Sequence, residues 1–212
     1  MFRETAVRKA STDRPPHHLA PASCVRGFIR RFIRAERGVT AVEFGLISLP
    51  VMVMTFGLLE LAMVFTVGVT LDTATEIASR RIRTGEFQTS AATARADFKN
   101  LVCSEMTWLS GQCQANLWVS VQTFSNFSGL AAAPPPNPAA FTTAAKAALC
   151  FSPGQPTDIV LVRNYFQWSL FTPLLNNALE NMGGGSGMRL ITATTAFRNE
   201  PYNVNPPLGN SC

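Results

Sequence analysis

The chain has 212 residues, 47% of them hydrophobic and 15% charged, with a formal net charge of +5. That charge is uneven: residues 1–38 hold nine Lys or Arg against three Asp or Glu and carry +6, whereas everything from Val39 onward holds nine basic and ten acidic residues and carries −1. A nucleic-acid partner needs a basic stripe on the folded part, which this balance does not supply, so that class is excluded.

Residues 1–38 read as a basic, disordered leader with Pro15, Pro16, Pro21 and the adjacent pair His17 and His18. Two histidines without a Cys or carboxylate partner make a poor metal site, and no metal is expected. Arg26, Arg30, Arg31, Arg34 and Arg37 then lead into an apolar stretch that begins at Gly38. Within it, residues 44–67 contain one charge, Glu60, and these 24 residues span about 36 Å as a helix, enough for a bilayer core of about 30 Å. The segment is too long for a cleaved secretory signal and is followed by no small-x-small site. Positive-inside bias puts the N-terminus in the cytoplasm and the remainder outside, although Arg80, Arg81 and Arg83 reduce the asymmetry. Pro50 frees the carbonyl of Leu46 and is expected to kink or loosen the helix. Glu60 at membrane depth is expected either to meet another protein or to reach the outer interface.

Beyond the membrane, residues 70–83 continue the helix with Leu71, Ala74, Thr75, Ala78 and Ile82 at helical spacing, and Gly85 is a stop. A second helix is expected over 90–106. The period then changes to two: residues 117–124 alternate Leu117, Val119 and Val121 against Trp118, Ser120 and Gln122, and residues 158–170 and 189–197 are also rich in β-branched and aromatic side chains. Three strands are a minimum for an independent sheet, so the sheet is expected to pack on the long helix. Between them, Pro134, Pro135, Pro136 and Pro138 mark an extended exposed loop, and short helices are expected over 142–149 and 172–182. The expected class is α+β, with a leader over 1–38, a transmembrane helix over 39–71 and an exterior domain over 72–212.

Four cysteines, Cys103, Cys113, Cys150 and Cys212, lie on the exterior side, and Cys24 lies in the leader. The even exterior count suggests two disulfides in an oxidising compartment. Of the three connectivities, Cys103 with Cys113 and Cys150 with Cys212 is preferred. Zinc is the rival, but the spacings are wide and no histidine lies beyond residue 18. The glycine run 183–187 is followed by Met188 and Arg189, not the Lys-Ser/Thr of a phosphate-binding loop. Without an exterior histidine the usual Ser or Cys nucleophile has no base, so an enzyme, a cofactor and a small-molecule substrate are not expected.

The pattern Phe32-x-Arg34-x-x-x-Gly38-x-x-Ala41-Val42-Glu43-Phe44, with Pro50 six residues on, resembles the start of TadE-like and TadG-like proteins of tight-adherence (Flp, type IVc) pilus systems. Residues 78–85, the strand segment 165–168 and the ending Phe197-Arg198-Asn199-Glu200-Pro201-Tyr202 are similar to the same family, while the long leader and the proline loop depart from it. The resemblance implies a minor pseudopilin of the bacterial inner membrane, with a pilin-like periplasmic head. It implies cleavage between Gly38 and Val39 by a prepilin peptidase, with Glu43 and Phe44 read in processing and assembly. Its implied partners are that peptidase, other pilins and pseudopilins, the inner-membrane assembly platform and the lipid bilayer. Glycine lets a protease backbone approach the scissile bond. After cleavage, Glu43 sits about one turn inside a new, positively charged N-terminus. The alternative is an uncleaved single-pass anchor carrying a periplasmic scaffold or ligand-binding domain.

Overall fold

A computed structural model describes residues 36–90 and 93–203. Residues 1–35 of the leader, with the histidine pair and Cys24, and the C-terminal Cys212 lie outside the described residues. The chain forms two compact units, Met1–Val51 and Met52–Cys212. Helix α1 (Glu36–Arg83, 48 residues) is, among the described residues, the one helix long and apolar enough to cross a membrane. Its assignment continues without a break through Pro50. The hydroxyls of Thr66, Thr70 and Thr73 donate to the carbonyls four residues earlier, at Ala62, Thr66 and Val69, so these polar groups are satisfied inside the helix itself.

In the second unit, α1 buries one stripe. Glu60, Val67, Leu71, Ala74, Ala78 and Ile82 are all fully buried, and their spacing of three, four or seven keeps them on one face. The head therefore packs on this stripe of α1. At the far end α1 stops where Gly85 takes a left-handed conformation (φ 80°) and donates its amide to the Ile82 carbonyl, the arrangement glycine adopts most easily.

Two short helices and one longer one follow: α2 (Glu86–Thr89), α3 (Arg95–Glu105) and α4 (Ser110–Asn116). The expected start of α3 near residue 90 moves to Arg95 because the Asp97 carboxylate accepts the Ala94 amide at 2.9 Å and fixes the first turn there. Helix α4 was not foreseen. The disulfide Cys103–Cys113, with Cα atoms 5.5 Å apart, holds it against α3. Cys150 is disulfide-bonded as well.

Strands β1 (Leu117–Phe124), β2 (Ile159–Ser169) and β3 (Met188–Arg198) form an antiparallel sheet in the order β1-β2-β3. Between β1 and β2 lie α5 (Phe127–Ala131) and α6 (Thr143–Ala147), and between β2 and β3 lies α7 (Asn176–Leu179). Alternation along β2 divides its side chains between two apolar clusters. Val160, Val162, Phe166 and Trp168 join the α1 stripe, α3 and β1 in the main core. Asn164, buried on the same face, donates to Thr75 Oγ1 of α1 at 2.8 Å. Tyr165 faces the other way and packs with Phe141 and Leu190. There Lys146 Nζ stands 3.9 Å from the Trp118 ring centroid, and the Arg163 guanidinium donates to the carbonyls of Ala133 and Pro134. The proline loop is thus largely exposed, as expected, but is also tethered over the second face of the sheet.

The main core closes on three rings. Phe87, Phe98 and Phe151 have centroids 5.7 to 6.1 Å apart and link α2, α3 and the segment paired with Val121 of β1. Phe98→Ala removes the central ring from a fully buried site and is expected to destabilise the head by about 3–5 kcal/mol. Phe127→Ala, at a ring 59% exposed, is expected to change stability by less than about 0.5 kcal/mol. Near-UV circular dichroism of each full-length variant through a denaturant titration in detergent checks the pair.

Candidate functional site

Gly38 and Val39 lie in α1, two and three residues beyond Glu36, the first described residue. A side chain built on Gly38 meets nothing within 4 Å, so the described packing does not require glycine there. Glu43 is exposed, and among the described residues no hydrogen bond or ion pair engages its carboxylate. Phe44 is 73% exposed, and Leu46, Ile47, Leu49 and Val51 are exposed around it. A helix apolar on all sides and bare of neighbours needs an apolar surrounding, which in a single chain means lipid or other helices.

Glu60 is the opposite case. Its side chain is fully buried, Oε1 accepts the Phe171 amide and Oε2 accepts the Thr172 amide, each at 2.8 Å. Both oxygens accept amides of the same chain. One turn earlier, Gly57 lets the same loop approach: a Cβ there would lie 2.8 Å from Leu175 Cδ1. The partners are 111 and 112 positions away, and no local signal in the sequence points to them.

At the other end of α1, the C-terminal segment returns to the helix terminus. Glu200 donates its amide to the Arg83 carbonyl at 2.9 Å, and its carboxylate lies 3.4 Å from the Arg83 guanidinium. The Tyr202 ring covers Gly85, where a Cβ would fall 2.3 Å from it, so glycine serves both the left-handed turn and the close ring contact. Tyr202 Oη accepts from Gln88 Nε2 at 2.8 Å and from Asn199 Nδ2 at 3.0 Å. Gln88 and Asn199 also donate to the Pro153 carbonyl. Burial, with the nearby Asp158 charge, pushes the Tyr202 phenol up to about 12 against the pull of those two donors. Burial likewise raises Tyr165, opposed by Arg163.

An open groove of about 570 Å³ runs between α1 and β3, lined by Glu76, Ser79, Arg80 and Arg83 with Thr195 and Phe197. Among the described residues no group of three or more His, Cys, Asp or Glu is placed to hold a metal ion.

The family model for TadE-like protein matches residues 38–80. No curated protein and no solved structure matches the chain. The matched stretch opens at Gly38 and contains Glu43, Phe44, Pro50 and Glu60. The further resemblances noted over residues 165–168 and 197–202 lie beyond it.

Glu60→Gln keeps the shape of the side chain but turns an amino group toward a backbone N–H, which is expected to lower stability by about 1–3 kcal/mol. Glu43→Gln, at an exposed carboxylate, is expected to leave thermal unfolding of the head unchanged; a melt of both variants in detergent checks the contrast. The two tyrosines provide a separate test. Both phenols are raised in the folded chain, so it holds protons that the unfolded chain releases near pH 10. The associated stabilisation is complete below about pH 10 and is lost as pH rises toward the folded value of about 12. At a pH between these, phenolate absorbance is expected to be small in the folded protein and to jump on adding denaturant.

Proposed function

We propose that this chain, TadE-like over residues 38–80, is a minor pseudopilin that takes part in assembling a tight-adherence pilus, and that a prepilin peptidase cuts it between Gly38 and Val39. TadE-like proteins are structural components associated with the Tad pilus and are not an enzyme family. The observation that carries the finer reading is the state of Glu43. It is a carboxylate without an own-chain partner among the described residues, on a helix apolar around it, five residues beyond a glycine that the described packing does not require. A lone carboxylate at membrane depth costs about 2.5 to 3.5 kcal/mol on insertion scales. A new ammonium at Val39, on its own or a neighbouring chain, offsets much of that cost and is favoured by the helix dipole.

In this reading α1 holds the precursor in the inner membrane with its N-terminus in the cytoplasm. The peptidase cuts the Gly38–Val39 bond and removes the basic leader. The freed helix packs against other pilin-like helices at the assembly platform through its exposed apolar surface, which continues past the membrane length at Leu61, Phe65 and Val69. The head contributes contacts that initiate, cap or regulate the fibre. No step requires catalysis by this chain.

Mass and N-terminal sequence of the protein from inner membranes of cells with and without the peptidase test this. The expected result is a chain beginning at Val39 only where the peptidase is present, and a retained leader for Gly38→Val in either strain. An intact leader on the wild-type chain in both strains, with no pilin-like protein copurifying, would instead identify an uncleaved anchor with a periplasmic scaffold or ligand-binding domain.

A further inference from the structure

We propose that the head is seated on the bilayer through the loop of residues 170–175, which Glu60 clips to α1 and which places Phe171 among the lipids of the leaflet facing the head. The proposal rests on α1 crossing a membrane and not on the pilus role.

Position comes first. Counted from Val39 at about 1.5 Å per residue, a hydrocarbon core of about 30 Å is used up near Leu58. Gly57, which touches Leu175, and Glu60, which holds Phe171 and Thr172, therefore bracket the level where lipid gives way to headgroups. Composition agrees with position. From residue 164 to residue 179 the chain has no charge, Phe171 is 55% exposed, and its ring lies edge-on to Trp168 with centroids 6.3 Å apart. Aromatic side chains of this kind collect at membrane interfaces.

The backbone supplies the independent argument. A loop in water needs no internal partners for its amides, whereas a loop in lipid must satisfy them within the protein. Here the Leu170 amide donates to the Gly187 carbonyl, those of Phe171 and Thr172 donate to Glu60, and residue 173 is a proline with no N–H. The amides of Leu175 and Asn176 donate to the carbonyls of Thr172 and Pro173. A buried carboxylate that takes two successive amides answers both needs at once: Phe171 and Thr172 have acceptors, and each oxygen of Glu60 has a donor. Lipid is the occupant that fits, because Leu175 of the loop lies against Gly57 and the α1 residues on either side of that contact, Phe56 and Leu58, are exposed and apolar.

Nitroxide labels on single cysteines in the full chain test the seat. Phe171→Cys, Met54→Cys and Phe127→Cys are each made in a Cys24→Ser background and placed in vesicles of phosphatidylethanolamine and phosphatidylglycerol. Collision with oxygen, which concentrates in acyl chains, is compared with collision with a water-soluble nickel chelate. Oxygen is expected to dominate at Met54 and Phe171 and nickel at Phe127, a distal head position; adding Glu60→Gln is expected to raise nickel collision at Phe171 and leave Met54 unchanged. Nickel-dominated collision at Phe171 beside oxygen-dominated collision at Met54 would overturn the seat while leaving α1 in the membrane. Nickel at both would overturn both, and low collision with both reagents at Phe171 would show a second copy of the chain there and also overturn it.

Discussion

One helix has to serve two surroundings, and Glu60 marks the change between them. Before it, α1 is apolar on all sides and touches little; after it, a single stripe of Val67, Leu71, Ala74, Ala78 and Ile82 is buried against the sheet. A carboxylate at such a boundary is costly unless both oxygens are satisfied, and two adjacent amides at the lower end of β2 do this. The dependence is mutual. Without Glu60 the turn after β2 would leave the amides of Phe171 and Thr172 without these acceptors. Without that turn the helix would carry an uncompensated charge. The register of the sheet follows from the same end, because the Leu170 amide closes on the Gly187 carbonyl just beyond the last β2–β3 pair, Ser169 with Met188.

The upper end of α1 is fixed by different chemistry. Gly85 reverses the chain, Tyr202 lies over it, and Gln88 and Asn199 tie the phenol to the Pro153 carbonyl. Between the two ends Asn164 reaches Thr75 from the middle strand. Polar contacts at the bottom, middle and top of the packed stripe set the rotation and height of the head on its helix. Apolar burial alone does not do so, because hydrophobic contact is non-directional and a slide along the stripe would keep much of it.

What the sequence shows and what it hides divides along contact range. The α1 stripe, the stop at Gly85, the three strands and the Cys103–Cys113 pair are legible because each depends on a period, a local composition or a short spacing: 3.6 along the helix, two along β1, β-branched and aromatic runs in β2 and β3, ten residues between the cysteines. Helix α4 is hidden because residues 110–116 include Ser, Gly, Gln and Asn and no apolar period; the disulfide and the Cys113 side chain in the core hold it instead. The partners of Glu60 and the tether from Arg163 to the proline loop are hidden for another reason. Each joins positions about thirty or more apart through a backbone group, and a backbone group has no signature in side-chain identity. Glu60 is visible as an anomaly in an apolar run, but its resolution is not.

The two carboxylates of α1 therefore carry different information. Glu60 takes its partners with it: if the helix leaves lipid for a fibre, the amides of Phe171 and Thr172 travel in the same chain, and the electrostatic cost of that residue is the same before and after. Only the apolar surface around it exchanges one apolar neighbour for another, which is close to neutral when helices replace acyl chains. Glu43 has no own-chain partner among the described residues, so its free energy depends on what stands beside it. In lipid it has only the positive end of its own helix; beside the ammonium of a neighbouring chain it gains a direct ionic partner in a low-dielectric setting. On the proposed function, Glu43 is the residue whose energy would separate a helix alone in the membrane from one in an assembly, whereas Glu60 keeps the same own-chain partners in either setting.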